Sequence, residues 1–264
     1  MQVAAAQLPA QSGDDRIVTT DDSVAVLDGA SCFAADGVPA ATYVDTLSEE
    51  LAHHLRGENR DLPSVLSSAI AATTVRLNLH PGSAPSSTVA MLRINRETVE
   101  TLVLGDSTAV VGTPEGTYDV VVDDRLAQLD LPESRLYRSR LESGAGYDAE
   151  HRAILAELQR KERLSRNRHG GYWIAEADPR AATHALAASY PRSQVSWAAL
   201  ATDGAAEMLA PLGITWLDVA RLDSFGLAAI LARAHRWEAD DDPHGQQRPR
   251  AKRHDDKTVA VIHL

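Results

Sequence analysis

Apolar residues in this chain come either as short unbroken runs or at helical spacing. The run Val24-Ala-Val-Leu ends on Asp28-Gly29-Ala30-Ser31. A short continuous apolar run bounded by turn residues reads as a buried strand. The same join of acid and apolar run recurs at Leu102-Val-Leu-Gly105-Asp106, at Ala199-Leu-Ala-Thr202-Asp203-Gly204, and at Asp255-Asp256 before Thr258-Val-Ala-Val-Ile262.

In chain order, residues 16–20 and 23–27 read as two strands around Asp21-Asp22, a two-residue hairpin loop. That register places Asp15 opposite Asp28, and Asp14 beside Gly29. Like charges opposed across a sheet are destabilising, and a divalent cation is the simplest offset. A loop over 31–39 precedes a helix over 40–56 with the stripe Val44, Leu47, Leu51 and Leu55. A second helix starts near Pro63, a first-turn proline, and ends at His80-Pro81-Gly82. Strands over 87–94, 99–104, 108–112 and 118–122 form an antiparallel meander rather than a βαβ series. Residues 123–193 are polar and read as a helical flap, with helices over 149–166 and near 180–189. A strand over 195–201, helices over 205–209 and 216–237, a mobile charged connection over 238–254 and a strand over 258–262 complete the chain. The expected organisation is a single domain, 1–264.

Length and composition narrow the class. The 264 residues, 44% of them apolar, suffice for one large core. A net charge of -11 argues against nucleic acid as the main partner. The single cysteine, Cys32, rules out an internal disulfide and points to a reducing compartment. The first residues lack a basic segment followed by an apolar stretch, so no signal peptide is expected. No run approaches the roughly 20 apolar residues of a membrane span. A soluble, cytoplasmic protein is expected, and its Ala- and Arg-rich, Lys-poor composition hints at a GC-rich genome.

The chemistry lies in the acids. Asp14, Asp15, Asp28, Asp106, Asp203 and Asp255 or Asp256 all sit at strand ends, where an antiparallel arrangement lets starts and ends share one rim. Each alone reads most simply as a turn or cap residue; the ordered set does not. An all-oxygen cluster without cysteine or paired histidine ligands selects hard cations such as Mg²⁺ or Mn²⁺. Two such ions about 3.5–4 Å apart suit in-line displacement at phosphorus. Other candidates carry less. His53-His54 falls on the first helix, Ser31 and Ser107 have no His–Asp partners in sequence, and Cys32 reads as a small buried residue. Gly170-Gly171-Tyr172-Trp173 reads as a turn under an aromatic pair or as a cap on the site.

The ordered set Asp14-Asp15, Asp28-Gly29, Pro85-Ser-Ser-Thr88, Gly105-Asp106-Ser107, Thr202-Asp203-Gly204 and Asp255-Asp256-Lys257-Thr258 resembles the PP2C-type (PPM) metal-dependent Ser/Thr protein phosphatases, in their bacterial form. The resemblance spans nearly the whole chain. It implies an α+β fold, a four-layer αββα sandwich of two antiparallel sheets flanked by helices. It implies hydrolysis of phosphoserine or phosphothreonine on proteins, with two or three Mn²⁺ or Mg²⁺ ions and a metal-bridging water as nucleophile. By position, Asp28 would bridge both metals and Gly29 would ligate through its carbonyl. Asp203 and Asp255 would hold the first metal with Asp28, making Asp28 and Asp203 the acids central to catalysis. Asp14 takes the place of the family's Glu near the second metal, Asp15 is its supporting acid, and Asp106 answers to a third, weaker metal. The chain departs from the family where Ala30-Ser31 follows Asp28-Gly29, and where Ala10 stands in place of a phosphate-holding arginine. Arg16, Arg166 or Arg168 are the candidate substitutes. A catalytically weak relative that binds a phosphoprotein, and a phosphatase of small metabolites, are the alternatives.

Overall fold

The computed structural model describes residues 1–8, 13–30, 37–57 and 60–264. Ala10, Ser31 and Cys32 lie outside the described residues. The strands are β1 (Gln2–Leu8), β2 (Arg16–Thr19), β3 (Ser23–Ala30), β4 (Ser86–Ile94), β5 (Thr98–Leu104), β6 (Thr108–Gly112), β7 (Tyr118–Val122), β8 (Leu186–Pro191), β9 (Trp197–Ala201) and β10 (Lys257–His263). They form two five-stranded sheets, ordered β1-β10-β9-β6-β7 and β2-β3-β4-β5-β8, antiparallel throughout. The helices are α1 (Ala40–Leu55), α2 (Leu62–Arg76), α3 (Arg125–Gln128), α4 (Pro132–Glu142), α5 (Ala149–Ser165), α6 (Asp203–Leu209), α7 (Trp216–Val219) and α8 (Ser224–Arg236).

Both faces of the central strands are covered, so their sequences read as continuous apolar runs rather than as alternating ones. Val24 and Val26 of β3 meet Ala198, Leu200, Ala260 and Ile262 between the sheets. Ala25 and Leu27, pointing the other way, pack under Leu47, Leu51 and Leu66 of α1 and α2. Val259 and Val261 of β10 likewise turn outward onto Leu227 and Leu231 of α8. The result is the expected α+β sandwich of four layers, helix, sheet, sheet and helix.

The β2–β3 hairpin has the predicted register, with Arg16 opposite Leu27 and Thr19 opposite Val24. Other expectations need correction. The meander over 87–122 is divided between the sheets: β4 and β5 lie in one, β6 and β7 in the other. The chain crosses at Gly105-Asp106-Ser107. Gly105 has φ +83°, and a Cβ there would lie 2.9 Å from the Thr88 methyl, so only glycine turns this corner without strain.

The helix expected near 180–189 is instead a 3-10 turn at Pro179–His184 followed by edge strand β8. Alanine-rich sequence favours helix there, but the open edge of β5 is filled by β8 from Leu186 to Pro191. Tertiary pairing overrides a weak local preference. Residues 123–193 are therefore not all flap. Helices α4 and α5 pack together around Tyr137, Leu141 and Leu158. Trp173, Ala175, Ala181 and Ala182 return to the core under α1 and α2. The single helix expected over 216–237 is two, because Asp223 caps α8 by accepting from the Gly226 N–H at 2.9 Å. Strand β1 was not anticipated at all; it pairs along the whole of β10.

The charged connection over 238–254 is densely paired within itself. Glu238 is 2% exposed and accepts from Lys257 Nζ at 2.9 Å and pairs with His254 Nδ1 at 3.0 Å. Asp242 accepts from Arg250 Nη1 at 2.6 Å and from the backbone N–H groups of Gln247 and Arg248 at 3.0 and 3.1 Å. Arg250 also lies against the rings of Trp237 and Tyr147. The alternating charge that reads as a solvated loop is an internal set of ion pairs.

Candidate metal centre

The site is assembled at one end of the sandwich from the termini of five strands. The residues leading into β2 come first. Arg16 donates to Asp45 Oδ1 at 2.6 Å and, through Nη1, to the carbonyls of Gly13 and Asp15 at 2.5 and 2.7 Å. These bonds pull the chain tightly into the strand and leave Asp14 and Asp15 on the inner side, 7% and 6% exposed. The guanidinium of Arg16 is thus bound to the protein's own oxygens, which is a positioning arrangement rather than a reach into the cleft.

Asp28 lies near the end of β3, opposite Thr88 of β4. Beside it, a Cβ on Gly29 would meet the Asp14 Cβ and carbonyl oxygen, each at 3.0 Å, and a Val44 methyl at 2.7 Å. This places Asp14 against Gly29, as the hairpin register requires. Asp203 begins α6 at the end of β9, with Thr202 as N-cap. Thr202 Oγ1 donates to Asp15 Oδ2 at 3.0 Å and accepts from the Thr258 N–H at 3.0 Å. Asp255 and Asp256 lead into β10 and divide their work. Asp256 Oδ2 accepts the Asp14 N–H at 2.6 Å, tying the two sheets together. Asp255 Oδ1 accepts from Lys252 Nζ at 2.7 Å. Asp106 sits at the crossing between the sheets.

The electrostatics show how crowded these carboxylates are. Burial, then the charges of Asp203, Asp15 and Asp255, hold Asp28 well above the ordinary carboxylate range. Asp28 and Asp203 are close enough for each to perturb the other. Burial and Asp255 raise Asp203 to about 6. Burial raises Asp15 to about 7, with Asp256 and Asp203 adding to it. Burial, then Asp203, raises Asp106 to about 8. Among the described residues, the buried Asp15 Oδ1 has no hydrogen-bond partner. Buried carboxylates that repel one another and leave a lone pair unmet fit one kind of guest, a hard cation bound by oxygens. Asp15, Asp203 and Asp255 all act on Asp28, and Asp203 also acts on Asp15 and Asp106.

Over the rim opens a cleft of about 410 Å³ between α4 and α5 on one side and the 248–255 segment on the other. Its floor carries Asp106, Asp203 and Asp255. Several of its groups escaped the sequence reading. Glu207 lies one turn beyond Asp203 on α6, an i,i+4 relation that a helix starting at Asp203 makes visible. Asp123, at the end of β7, repeats the acid-after-strand pattern and is held by Arg125 at 2.7 and 2.5 Å. Lys252 carried no signal. Arg166 lies at the flap base, 3.6 Å from Glu176 Oε1 and 3.3 Å from the Tyr172 hydroxyl. A further group, His235, Glu238 and His254, lies beside the site with potential ligand atoms within 4.8 Å of one another. Lys257 already neutralises its glutamate.

No family sequence model matches the chain, and no curated protein is similar to it in sequence. Solved structures do match. The catalytic domain of the serine/threonine protein phosphatase PstP, in complex with two manganese ions, superposes with a TM-score of 0.57 at 13% identity, over 98% of this chain and 96% of its own. A bacterial serine phosphatase gives 0.60 at 13% identity, over 100% and 98%. The PPM Ser-Thr phosphatase MsPP from Mycobacterium smegmatis, in complex with cacodylate, gives 0.54 at 17% identity, over 100% and 98%. Similarity this low in sequence and this complete in coverage establishes the architecture: the chain has the fold of the PPM phosphatases from end to end.

Proposed function

We propose that this protein is a metal-dependent phosphate-monoester hydrolase acting on phosphoserine or phosphothreonine in proteins. The observation that carries the reading is the rim itself. Oxygen donors from both sheets converge there, and burial with mutual repulsion raises Asp28, Asp203, Asp15 and Asp106 above the ordinary carboxylate range. Asp28, Asp203, Asp255 and the Gly29 carbonyl would hold one pair of Mn²⁺ or Mg²⁺ ions with Asp14 and Asp15, and Asp106 with Asp203 a third. When bound, such ions supply charge neutralisation and a nucleophilic water for attack at phosphorus. The remaining residues orient. Thr202 fixes Asp15, Asp256 fixes Asp14, and Arg16 fixes the backbone that carries both. The cleft admits a substrate to the floor formed by Asp106, Asp203 and Asp255.

The likeness to PstP and MsPP supports the protein-phosphatase reading. The decisive experiment is Mn²⁺-dependent hydrolysis of p-nitrophenyl phosphate by wild type and Asp203→Asn. Wild type with metal bound and no activity above the variant overturns the enzyme. A second reading, a weakly active module that binds a phosphoprotein, is favoured by Ala30-Ser31 after Asp28-Gly29 and by the short side chain of Asp14. Phosphopeptides compared with small phosphorylated metabolites separate both from a metabolite phosphatase.

A further inference from the structure

A phosphate monoester arrives as a dianion at a floor lined with carboxylates, and needs a cation besides any metal to hold it. The cleft offers Arg138, Arg248, Arg250 and Lys252. Arg248 is paired with Glu207 at 3.0 Å, and Arg250 with Asp242 at 2.6 Å. Glu207 acts on Asp106 and Asp203 but stands outside the proposed ligand set, and Asp242 is fixed within its own loop by three bonds. Arg138 donates to the neighbouring Tyr137 hydroxyl at 3.3 Å, and the carboxylates that act on it are Glu207 and Asp130. Lys252 differs. Its partner is Asp255, at 2.7 Å, a carboxylate of the rim itself. Asp28 and Asp203 also act on its ammonium. Its side chain is more than half exposed.

Resting on the proposed metal-dependent hydrolase, we infer that Lys252 is an exchanging cation: it occupies the metal-free rim through Asp255 and, once a divalent ion takes that carboxylate, turns to bind the substrate phosphate. The exchange requires no new group in the cleft. An ammonium on a flexible four-carbon stem is a mobile point charge, and a phosphate oxygen offers it a charge-assisted hydrogen bond in place of the one given up. Lys252 therefore acts against metal binding and in favour of phosphate binding, two effects of opposite sign from one side chain.

That opposition is the test. Calorimetry of Mn²⁺ into the metal-free protein and of inorganic phosphate into the Mn²⁺-loaded protein is run on wild type, Lys252→Met and Lys252→Arg. In Lys252→Met, Mn²⁺ binds about threefold or more tighter while phosphate binds about tenfold weaker, the loss of one charge-assisted contact. Lys252→Arg retains phosphate affinity within about threefold, since a second cation replaces the first. Lys252→Gln gives the same result as Met if Met disturbs folding. Unchanged phosphate affinity, or Mn²⁺ affinity that does not rise, overturns the assignment. So does Arg138→Met producing the phosphate loss instead. Mn²⁺-loaded wild type that binds phosphate through Lys252 yet fails to hydrolyse p-nitrophenyl phosphate refutes the hydrolase and leaves the exchange standing.

Discussion

The backbone N–H of Asp14 donates to Asp256 Oδ2 over 2.6 Å, although the two residues precede strands of different sheets. Asp256 is 4% exposed, so the bond is shielded from water. It explains why two adjacent acids have unlike roles: Asp256 braces the fold, while Asp255 faces the rim. Asp256→Ala is expected to lower stability by about 1–3 kcal/mol, the cost of an orphaned buried donor. It should also weaken Mn²⁺ binding by releasing Asp14. Asp255→Ala should weaken Mn²⁺ binding with little loss of metal-free stability. Urea unfolding and calorimetry separate the two, and equal behaviour of the variants contradicts the division.

The rim makes the metal-free protein sensitive to alkali. Unfolded aspartates titrate near pH ~3.9, whereas Asp203, Asp15 and Asp106 titrate at about 6, 7 and 8 when folded. The folded state then holds more protons across that interval, so stability falls as pH rises. The contribution is fully present below the unfolded value and is lost by about pH 8. Each displaced unit is worth about 1.4 kcal/mol. In EDTA the melting temperature should drop between about pH 5 and pH 8. Mn²⁺ displaces the protons, so its stabilising shift should grow over the same interval. A Mn²⁺ shift that shrinks toward pH 8 contradicts the cation site.

Lys257 is fully buried against Glu238, which also meets His254. Lys257→Met leaves that glutamate uncompensated and should cost about 3–5 kcal/mol. The double variant Lys257→Met, Glu238→Leu should recover most of this loss, because matched apolar replacement of a buried pair is often neutral. Denaturant midpoints of the single and double variants measure the coupling. Additive losses mean that the pair is not a unit.

At the crossing between the sheets, Gly105→Ala meets both a positive φ and the Thr88 side chain. The expected cost is about 1–3 kcal/mol in stability. The adjacent Asp106 should lose its alignment, so that any weakest ion is lost before the others. Thermal melts and the stoichiometry of Mn²⁺ binding follow the two effects separately.

The hairpin of β2 and β3 could be read from the sequence because its register needs only a two-residue loop and alternating side chains. Once that register holds, Asp14, Asp15, Asp28 and Gly29 come together without further knowledge of the fold. The start of α2 is legible from Pro63 in its first turn, behind Asp61, which accepts the Ser64 N–H at 2.7 Å. The Asp223 cap is also in the sequence, but the apolar spacing over 216–237 reads through it as a single helix. Strand β8 was not legible. Its alanines favour helix, and only the empty edge of β5 makes them a strand. Lys252 was hidden for a similar reason. Its meaning depends on Asp255 three residues away being turned toward the rim, while Arg250 and Asp242 hold the intervening chain. Charge patterns in sequence do not say which members face inward.

The rim straddles a seam. Asp28 belongs to one sheet, Asp203 and Asp255 to the other, and the apolar filling between the sheets lies beneath them. Mutual repulsion at the mouth works as a wedge between the layers, and a bound cation would turn the wedge into a rivet. Ion retention and the spacing of the layers are then one equilibrium, and coupling of this kind is reciprocal. A partner that pries the helical layer of α1 and α2 outward would then loosen bound ions, and tightly bound ions would resist such a partner.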